Sequence, residues 1–329
     1  MKAVKFTALA VLLVVIAVVF GHYSMTTQEH EGERVKIIFV YKTTKIGQIE
    51  FWNSITDGIK AASDEFQVDY EILGALEESD VAGNIQAVEK AIRMTPDVIV
   101  LTAADYVLLE PYAKKVIDAG ILLMTMDSDV AGGHSRCFVA TDNILLGKQM
   151  GGEMIKRANP GGKIGIVGHI RGTATAIERV SGVIQALDSR GWTALEPVYC
   201  DNNTEEAKRQ TIRIIEQNPD LTGIVATNEV SAHGVAMAID ELGLRDEIIV
   251  VTCDNSSRQI TYLEQGIIDV TISQRPFNMG YKSVQIATDL LKNKNNPDIP
   301  AFFNTGFEVV TRDNMFSPEN QKLLFPFRG

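Results

Sequence analysis

Four apolar runs of the chain each end in a polar residue that can hydrogen-bond a hydroxyl group. The four residues are Thr102, Asp127, Asn228 and Asp254. Runs of this length and composition are typical of strands buried on both faces of a parallel sheet. Ligands of open α/β sheets bind beside the carboxyl ends of such strands, so the four side chains are expected to meet in one site. A hydroxyl, two carboxylates and an amide together predict a small ligand rich in hydroxyl groups.

The bulk properties of the sequence exclude several other classes of function. The chain has 329 residues, which fits two domains better than one, and its formal net charge is −11. Such a chain lacks the basic stripe of nucleic-acid-binding proteins and is not attracted to anionic lipid. The 5 histidines have no metal-ligand spacing, and no G-x-S-x-G, Walker or G-x-G-x-x-G motif occurs. We therefore expect a binding protein without a metal or other cofactor, not an enzyme.

The three cysteines, Cys137, Cys200 and Cys253, are too few and too widely spaced for a disulfide framework or a zinc site. They are typical of buried thiols. A bridge between Cys137 and Cys200 stays open as the alternative.

The first 25 residues predict export from the cytoplasm. Lys2 and Lys5 precede an uncharged apolar run from Phe6 to Phe20, which is typical of a signal peptide and short for a membrane-spanning helix. The cleavage signal is poor, so residues 1–25 are either a cleaved signal peptide or a retained membrane anchor. No cysteine follows the run, which excludes a lipoprotein anchor. Residues 26–34 are a polar tether, and the folded part is expected to lie outside the cytoplasm.

From Val35 onward, apolar runs alternate with segments of helical periodicity. This order predicts two βαβαβ-type units, each with a parallel sheet. The predicted strands lie near residues 35–41, 70–73, 98–102, 121–127, 163–167, 192–199, 223–228, 248–254 and 269–274. The predicted helices lie near residues 51–66, 82–94, 108–119, 174–190, 204–216, 232–242, 258–265 and 278–291.

A series of short motifs occurs along these elements in a characteristic order. They are Phe51-Trp52, Met126-Asp127, Gly172-Thr173-Ala174 with Glu178-Arg179 and Gly182, Ala226-Thr227-Asn228-Glu229, Cys253-Asp254, and Ile272-Ser273-Gln274 with Pro276 and Gly280. Together they make the chain, from Val35 to about Thr311, resemble the type I periplasmic sugar-binding proteins. The resemblance is greatest to the ribose-binding branch of the substrate-binding proteins of ABC transporters.

The resemblance implies two Rossmann-like lobes joined by three hinge crossovers, which close over a sugar. The crossovers are expected near residues 140–143, 274–276 and 302–306. The N-terminal lobe would then contain residues 35–140 and 275–303. The C-terminal lobe would contain residues 141–274 and 304–329.

The resemblance also implies roles for individual residues. Phe51 and Trp52 would cover the C–H faces of the sugar, with core packing as the alternative. Asp127 and Arg179 would hold hydroxyl groups, unless they form a structural pair with each other. The remaining candidates, each with helix capping, a turn or a hinge contact as its alternative, are Asn202, Asn228, Asp254 and Gln274.

Three departures from the ribose-binding pattern remove hydrogen-bonding groups from the N-terminal lobe. The chain has Ile49-Glu50 before the aromatic pair, Ser128 after the aspartate and Thr102 at the end of the third strand. Lys45 and Gln48 are available to compensate. The sequence therefore predicts a pentose or a hexose without assigning ribose.

Two partners fit a binding protein of this kind. The first is the permease of an ABC importer, and the second is a membrane sensor kinase or chemoreceptor that reads an anchored, monomeric receptor. A glycosidase that uses Asp127 and Asp254 as its carboxylate pair is the less favoured, catalytic alternative. The C-terminal stretch from Phe316 to Gly329 either packs onto the C-terminal lobe or docks a partner.

Overall fold

The computed structural model describes residues 34–293 and 296–324. The predicted export segment and tether, up to residue 33, lie outside the described residues, as do residues 325–329 at the end of the C-terminal stretch. Among the described residues, no helix combines the length and the apolar character needed to cross a membrane.

The elements alternate along the chain as the sequence patterns predict. The strands are β1 (Lys36–Tyr41), β2 (Asp69–Gly74), β3 (Val98–Leu101), β4 (Leu122–Met126), β5 (Phe138–Ala140), β6 (Lys163–Gly168), β7 (Thr193–Ala194), β8 (Val198–Tyr199), β9 (Leu221–Ala226), β10 (Ile249–Cys253), β11 (Val270–Gln274), β12 (Phe302–Asn304) and β13 (Phe307–Thr311). The α-helices are α1 (Glu50–Phe66), α2 (Val81–Arg93), α3 (Glu110–Asp118), α4 (Asn143–Arg157), α5 (Ala174–Asp188), α6 (Thr204–Gln217), α7 (Glu229–Leu242), α8 (Ser257–Glu264), α9 (Pro276–Lys292) and α10 (Pro318–Leu324).

The strands form two sheets. The first has 6 strands in the order β12-β5-β4-β3-β1-β2, and the second has 7 strands in the order β13-β11-β10-β9-β6-β7, with β8 also paired to β6. Neighbouring strands are parallel except for β13, which runs antiparallel to β11 at the edge. The predicted fold class, two parallel sheets flanked by helices, is confirmed.

Alternating side chains of the central strands pack on opposite faces of the sheet. On β9 and β10, Ile224 and Val250 belong to one core, whereas Val225 and Val251 belong to another. All four side chains are fully buried. Because both faces are covered, such strands need an almost continuous apolar sequence, and this is why the apolar runs identify them.

The chain passes between the two sheets at three places. After β5 it enters α4, which packs on α5, and after β11 it enters α9, which packs on α1. The third passage lies between β12 and β13. Each passage is only a few residues long, so the ends of the two sheets are held next to each other.

The predicted single strand over residues 192–199 is wrong. The structure has two short strands there, β7 and β8, which pair with opposite ends of β6. Pro197 lies between them, and proline has no N–H group to donate to a strand neighbour. The interruption therefore follows from a residue that is visible in the sequence.

The sequence patterns predict no helix between residues 128 and 162, where the structure has α4. Its N-terminus is capped by Asp142, whose carboxylate accepts a hydrogen bond from the Leu145 backbone N–H. Three glycines lower the helix propensity of this segment and dilute its apolar stripe. The glycines are Gly147, Gly151 and Gly152. The short strands β5, β12 and β13 are likewise absent from the predicted elements.

Two of these glycines allow α4 and α5 to approach closely. A Cβ atom on Gly147 would lie 2.2 Å from the carbonyl oxygen of Arg179, and one on Gly151 would lie 2.7 Å from the Cβ of Ala186. A Cβ on Gly182 of α5 would lie 2.4 Å from the carbonyl oxygen of Ile144. Gly147 therefore sets the position of the backbone that carries Arg179.

All three cysteines are free and buried, so Cys137 and Cys200 form no bridge. Burial raises the pKa of the Cys137 and Cys200 thiols to about 11. Both thiols are therefore protonated at neutral pH. The predicted burial of the three thiols is confirmed.

We expect Gly147→Ala to destabilise the protein by about 2 kcal/mol or more, because the new methyl group must push α5 away from α4. The matched control is Gly152→Ala on the same helix, where a Cβ atom meets no other atom within 4 Å. This control should gain about 0.5–1 kcal/mol from helix propensity. Urea denaturation checks both values, and equal stability of the two variants would contradict the close packing.

Candidate functional site

The carboxyl ends of strands from both sheets face a common cavity. Lys42 follows β1 and Asp127 follows β4 on one side, and Asp254 follows β10 on the other. Helix α1 adds two aromatic side chains to the first side. The lining residues are Lys42, Ile49, Phe51, Trp52, Glu78, Asp127, His169, Thr175, Arg179, Asn228, Glu229, Asp254 and Gln274.

Seven of the eleven residues predicted from the sequence line this cavity. They are Phe51, Trp52, Asp127, Arg179, Asn228, Asp254 and Gln274. They come from positions far apart in the chain, and the structure brings them together.

The other four predicted residues lie outside the lining. Thr102 and Ser128 are fully buried behind it, and neither side-chain hydroxyl has a hydrogen-bond partner. Lys45 is ion-paired with Glu77 at the surface. Asn202 has a positive φ of 56°, as expected for a turn, and its side-chain oxygen accepts a hydrogen bond of 2.7 Å from Asn228 Nδ2. Asn202 thus supports a lining residue without being one.

A buried ion pair lies on the first-sheet side of the cavity. Lys42 Nζ is 2.9 Å from Asp127 Oδ2, and both side chains are 4% exposed. Lys42 Nζ also lies 5.5 Å from the centre of the Trp52 ring. Asp127 therefore pairs with Lys42 and not with Arg179. Asp127 was predicted because it directly follows an apolar strand. Lys42 directly follows the apolar strand β1, so the same pattern identifies this lysine.

Trp52 connects this ion pair to a second carboxylate. Its Nε1 donates a hydrogen bond of 2.5 Å to Glu78 Oε1, and its ring packs 4.9 Å from Tyr41 and at right angles to Phe51. Burial raises the pKa of Glu78, although the charge of Lys42 acts in the opposite direction. Glu78 belongs to a loop after β2, and no sequence pattern singles it out.

Arg179 is fixed by two acceptors on the second-sheet side of the cavity. Its Nε donates to Asn143 Oδ1 at 2.8 Å, and its Nη1 donates to the backbone carbonyl of Thr227 at 2.8 Å. The guanidinium group has five N–H donors, so further donors stay available to the cavity. The group is 3% exposed, which makes these remaining donors strong and directional.

His169 lies beneath the cavity in a group of threonine hydroxyls. Its Nδ1 is 3.0 Å from the Thr227 hydroxyl, and its Nε2 is 2.9 Å from that of Thr175. Burial, followed by the nearby charges of Arg179 and Lys42, holds the pKa of His169 well below its ordinary value. The imidazole is therefore neutral at neutral pH and acts as a hydrogen-bonding group.

Asp254 organises the second-sheet side of the cavity. Its Oδ2 accepts a hydrogen bond of 2.8 Å from the Glu229 backbone N–H, and its Oδ1 accepts one of 2.6 Å from Gln274 Nε2. It does not cap the helix that follows it, since Ser256 caps α8. Asn228, by contrast, does cap α7 with its side-chain oxygen. Helix capping was the predicted alternative to a place in the site, and Asn228 both caps the helix and lines the cavity.

Glu229 was not among the predicted site residues, although it follows Asn228 directly. Its carboxyl group accepts hydrogen bonds from the backbone N–H groups of Glu50 at 3.4 Å and Phe51 at 3.3 Å, at the start of α1. Burial, and then the neighbouring charge of Asp254, raises its pKa to about 8. Glu50 in turn accepts hydrogen bonds from the backbone and hydroxyl of Ser257 on α8. The carboxyl group of Glu229 on α7 thus accepts hydrogen bonds from α1, and the carboxyl group of Glu50 on α1 accepts hydrogen bonds from α8.

These contacts leave a small inner space, with a larger cavity outside it. The inner space has a volume of about 30 Å³. The outer cavity measures about 580 Å³ and shares Phe51, Glu229 and Asp254 with the inner one. The starts of α8 and α9 and helix α10 form its other walls.

We expect Lys42→Met to cost about 3–5 kcal/mol of folding free energy, because it leaves Asp127 buried without a partner. Adding Asp127→Asn should restore part of the loss. The control Lys45→Met removes the exposed pair with Glu77 and should cost less than about 1 kcal/mol. Urea denaturation of the wild type, Lys42→Met, Asp127→Asn and the double variant measures the coupling, and Lys45→Met is denatured beside them. Equal costs for the two lysine variants would show that the buried pair is unimportant.

Comparison with known proteins places this geometry in a family. The model of the family described as periplasmic binding protein domain matches residues 39–295. The chain is 27% identical to the D-ribose/D-allose-binding protein of Pseudomonas aeruginosa, in an alignment that covers 74% of this chain and 78% of that protein. It is 24% identical to the ribose import binding protein RbsB of Escherichia coli, in an alignment that covers 74% of this chain and 81% of that protein.

Solved structures show the same fold. A solute-binding protein of an ABC transporter from Agrobacterium vitis, bound with D-fucose, has a TM-score of 0.82 at 27% identity and covers 88% of this chain and 100% of its own. A sugar transporter protein from Clostridium phytofermentans has a TM-score of 0.76 at 31% identity and covers 85% of this chain and 99% of its own. The predicted resemblance is confirmed, and the chain belongs to the periplasmic binding protein family, whose members bind solutes without catalysing a reaction.

Proposed function

We propose that the protein binds a pentose or hexose in the cavity between its two sheets and delivers it to an ABC importer. The observation that carries the proposal is the pairing of Phe51 and Trp52 with the strand-end groups Asp127, Asp254 and Gln274 in one cavity. Flat aromatic rings cover the C–H faces of a sugar, and charged groups hold its hydroxyls.

An unpartnered acceptor supports a hydroxyl-rich ligand. Gln274 Oε1 is buried and has no hydrogen-bond partner, whereas Gln274 Nε2 is bound to Asp254. Leaving a buried polar atom without a partner costs about 1–3 kcal/mol, so a ligand that donates to this oxygen recovers that cost. Arg179 and Asp127 offer a donor and an acceptor on the other walls.

The similar proteins support a monosaccharide of this size. The names of the relatives and solved structures give ribose, allose, tagatose and fucose as their ligands or imported sugars. The chain departs from the ribose-binding pattern at Ile49, Thr102 and Ser128. We therefore propose the class of sugar and not a single sugar.

Binding would follow opening and closure about the three chain passages. The proposed lobes contain residues 35–140 with 275–303 and residues 141–274 with 304–329. The small inner volume and the contacts of Glu229 and Glu50 across the cleft support a closed arrangement that must open to admit a sugar.

The proposed partner is the permease of an import system, which the names of the relatives support. The apolar run at residues 6–20 supports a location outside the cytoplasm. The same run, without a following cysteine, favours as second candidate an anchored receptor that reports the sugar to a sensor kinase. Co-purification of the full chain from membranes separates the two, because an importer yields permease subunits and a receptor yields a kinase.

A thermal-shift panel of pentoses, hexoses and deoxy sugars should contain at least one strong stabiliser. A ligand at a hundredfold excess over its Kd stabilises the folded state by about 2.7 kcal/mol. Phe51→Ala should lose most of this shift, since it removes one aromatic face. Phe316→Ala, at an exposed phenylalanine outside both cavities, is the matched control. A panel without any shift would overturn the proposed sugar-binding role.

The stabilising sugar should also reduce the radius of gyration in small-angle X-ray scattering, because it favours the closed arrangement. Breaking the Glu50 contact by Glu50→Ala should enlarge the radius of the sugar-free protein. Glu319→Ala, on the wall of the outer cavity, serves as the control. An unchanged radius with bound sugar would argue against hinge closure while leaving the binding result intact.

A further inference from the structure

One carboxyl group is buried by contacts from both sides of the cleft. Glu229 is the first residue of α7, on the second-sheet side, and it is 4% exposed. Its carboxyl group accepts hydrogen bonds from the backbone N–H groups of Glu50 and Phe51 at the start of α1, which packs on α9. Opening of the cleft would draw α1 away from α7, so water would then reach this carboxyl group.

The surroundings of Glu229 favour the neutral acid over the carboxylate. Asp254 is adjacent, since its Oδ2 accepts a hydrogen bond of 2.8 Å from the Glu229 backbone N–H. The neighbouring charges that act on Glu229 are those of Asp254 and Glu50, both acidic. The two hydrogen bonds to its carboxyl group are long, at 3.3 and 3.4 Å, so they offset little of the cost of burying a negative charge.

The cations of the inner cavity are directed to other partners. Lys42 is paired with Asp127 on the opposite side. Arg179 donates its hydrogen bonds to two neutral acceptors, and among the carboxylates that its charge acts on are Asp254 and Asp127. Asp254 therefore has a cationic neighbour, whereas the charges around Glu229 oppose its ionisation.

The remaining charged and titratable groups lie further out or keep one state. Arg275, after β11, is paired with Glu308, and Glu319 and Lys322 share the α10 wall of the outer cavity. Burial holds the pKa of His169 and His233 below its ordinary value, so neither histidine titrates between pH 6 and pH 8. Glu78 completes the inner lining beside Trp52 and Lys42, and burial raises its pKa.

Proton affinity at Glu229 depends on whether the cleft is closed. In the buried position its pKa is raised to about 8, first by burial and then by the charge of Asp254. Contact with water would remove the desolvation and return the pKa toward its ordinary value. The closed state therefore binds more protons than the open one. Its advantage is complete at low pH and is lost as the pH rises through about 8.

We infer that closure of the cleft over a sugar takes up a proton at Glu229, so that sugar binds more tightly in mildly acidic than in mildly alkaline medium. This inference rests on the proposed function and adds to it the regulation of the same site by pH. A neutral sugar has no group that titrates in this range, so the proton is bound by the protein.

The test is isothermal titration calorimetry of the full chain with D-ribose, D-allose, D-tagatose and D-fucose at pH 6 and pH 8. A sugar that binds should bind at least about fivefold more weakly at pH 8 than at pH 6. Titration at pH 7 in buffers of different ionisation enthalpy should show a net uptake of up to about one proton for each sugar bound.

Two variants locate the effect. Glu229→Gln has the shape of the neutral acid and takes up no proton, so it should bind the sugar with one affinity at both pH values and without proton uptake. Glu319→Gln, which changes a carboxylate of the outer cavity only, should keep the pH dependence of the wild type. Small-angle X-ray scattering adds a measurement without ligand, since the sugar-free wild type should expand between pH 6 and pH 8 whereas Glu229→Gln should not.

The outcomes separate this inference from the proposed function. Sugar binding of equal affinity at both pH values, without proton uptake, would overturn the inference and leave the proposed function in place. The wild-type pH dependence in Glu229→Gln would overturn the assignment to this residue. If that variant binds no sugar, its expansion between pH 6 and pH 8 would do the same. The absence of binding by every sugar at both pH values would overturn the inference and the proposed function together.

Discussion

Every charged group buried between the two sheets must find its partner within the protein or on the ligand. Removal from water costs several kcal/mol for each ion, and only a close opposite charge or several hydrogen bonds offset that cost. Lys42 and Asp127 meet this requirement in each other at 2.9 Å. Arg179 meets it partly through Asn143 and a backbone carbonyl. The groups that meet the requirement least completely are those that we propose to contact the ligand.

The scaffold positions these groups through backbone atoms more than through flexible side chains. Asp254 is held by the N–H of Glu229, at the first residue of α7, and Arg179 is held by the carbonyl of Thr227 at the end of β9. The contact of Gly147 with the Arg179 backbone fixes α5 against α4. Backbone positions follow from sheet register and helix packing, so the fold itself determines the geometry of the site.

The sequence predicts the parallel sheets well because strands buried on both faces leave an unambiguous apolar pattern. It predicts the strand-end residues less evenly. Thr102, Asp127 and Asp254 all continue the strand pairing through their backbone N–H groups, but only Asp127 and Asp254 have a positive φ, of 60° and 77°. The backbone therefore turns at the two aspartates, which line the cavity, whereas the Thr102 hydroxyl is buried within the fold. Lys42 and His169 are also polar residues that directly follow a buried strand, but the predicted set of such residues came from only four other strands. Glu78 and Glu229 depend on loop and helix geometry that no local pattern encodes.

Glu229 joins the two sides of the cavity through the start of α1. Its carboxyl group faces this helix N-terminus, whose partial positive charge favours a carboxylate over the neutral acid. Burial and the charge of Asp254 oppose this preference and raise the pKa of Glu229 to about 8. Exposure of this carboxyl group to water would remove the desolvation and favour its ionised form. A ligand shifts a conformational equilibrium only by its difference in affinity for the two states, so a sugar that contacts both sides of the cavity at once would favour the arrangement in which Glu229 is buried.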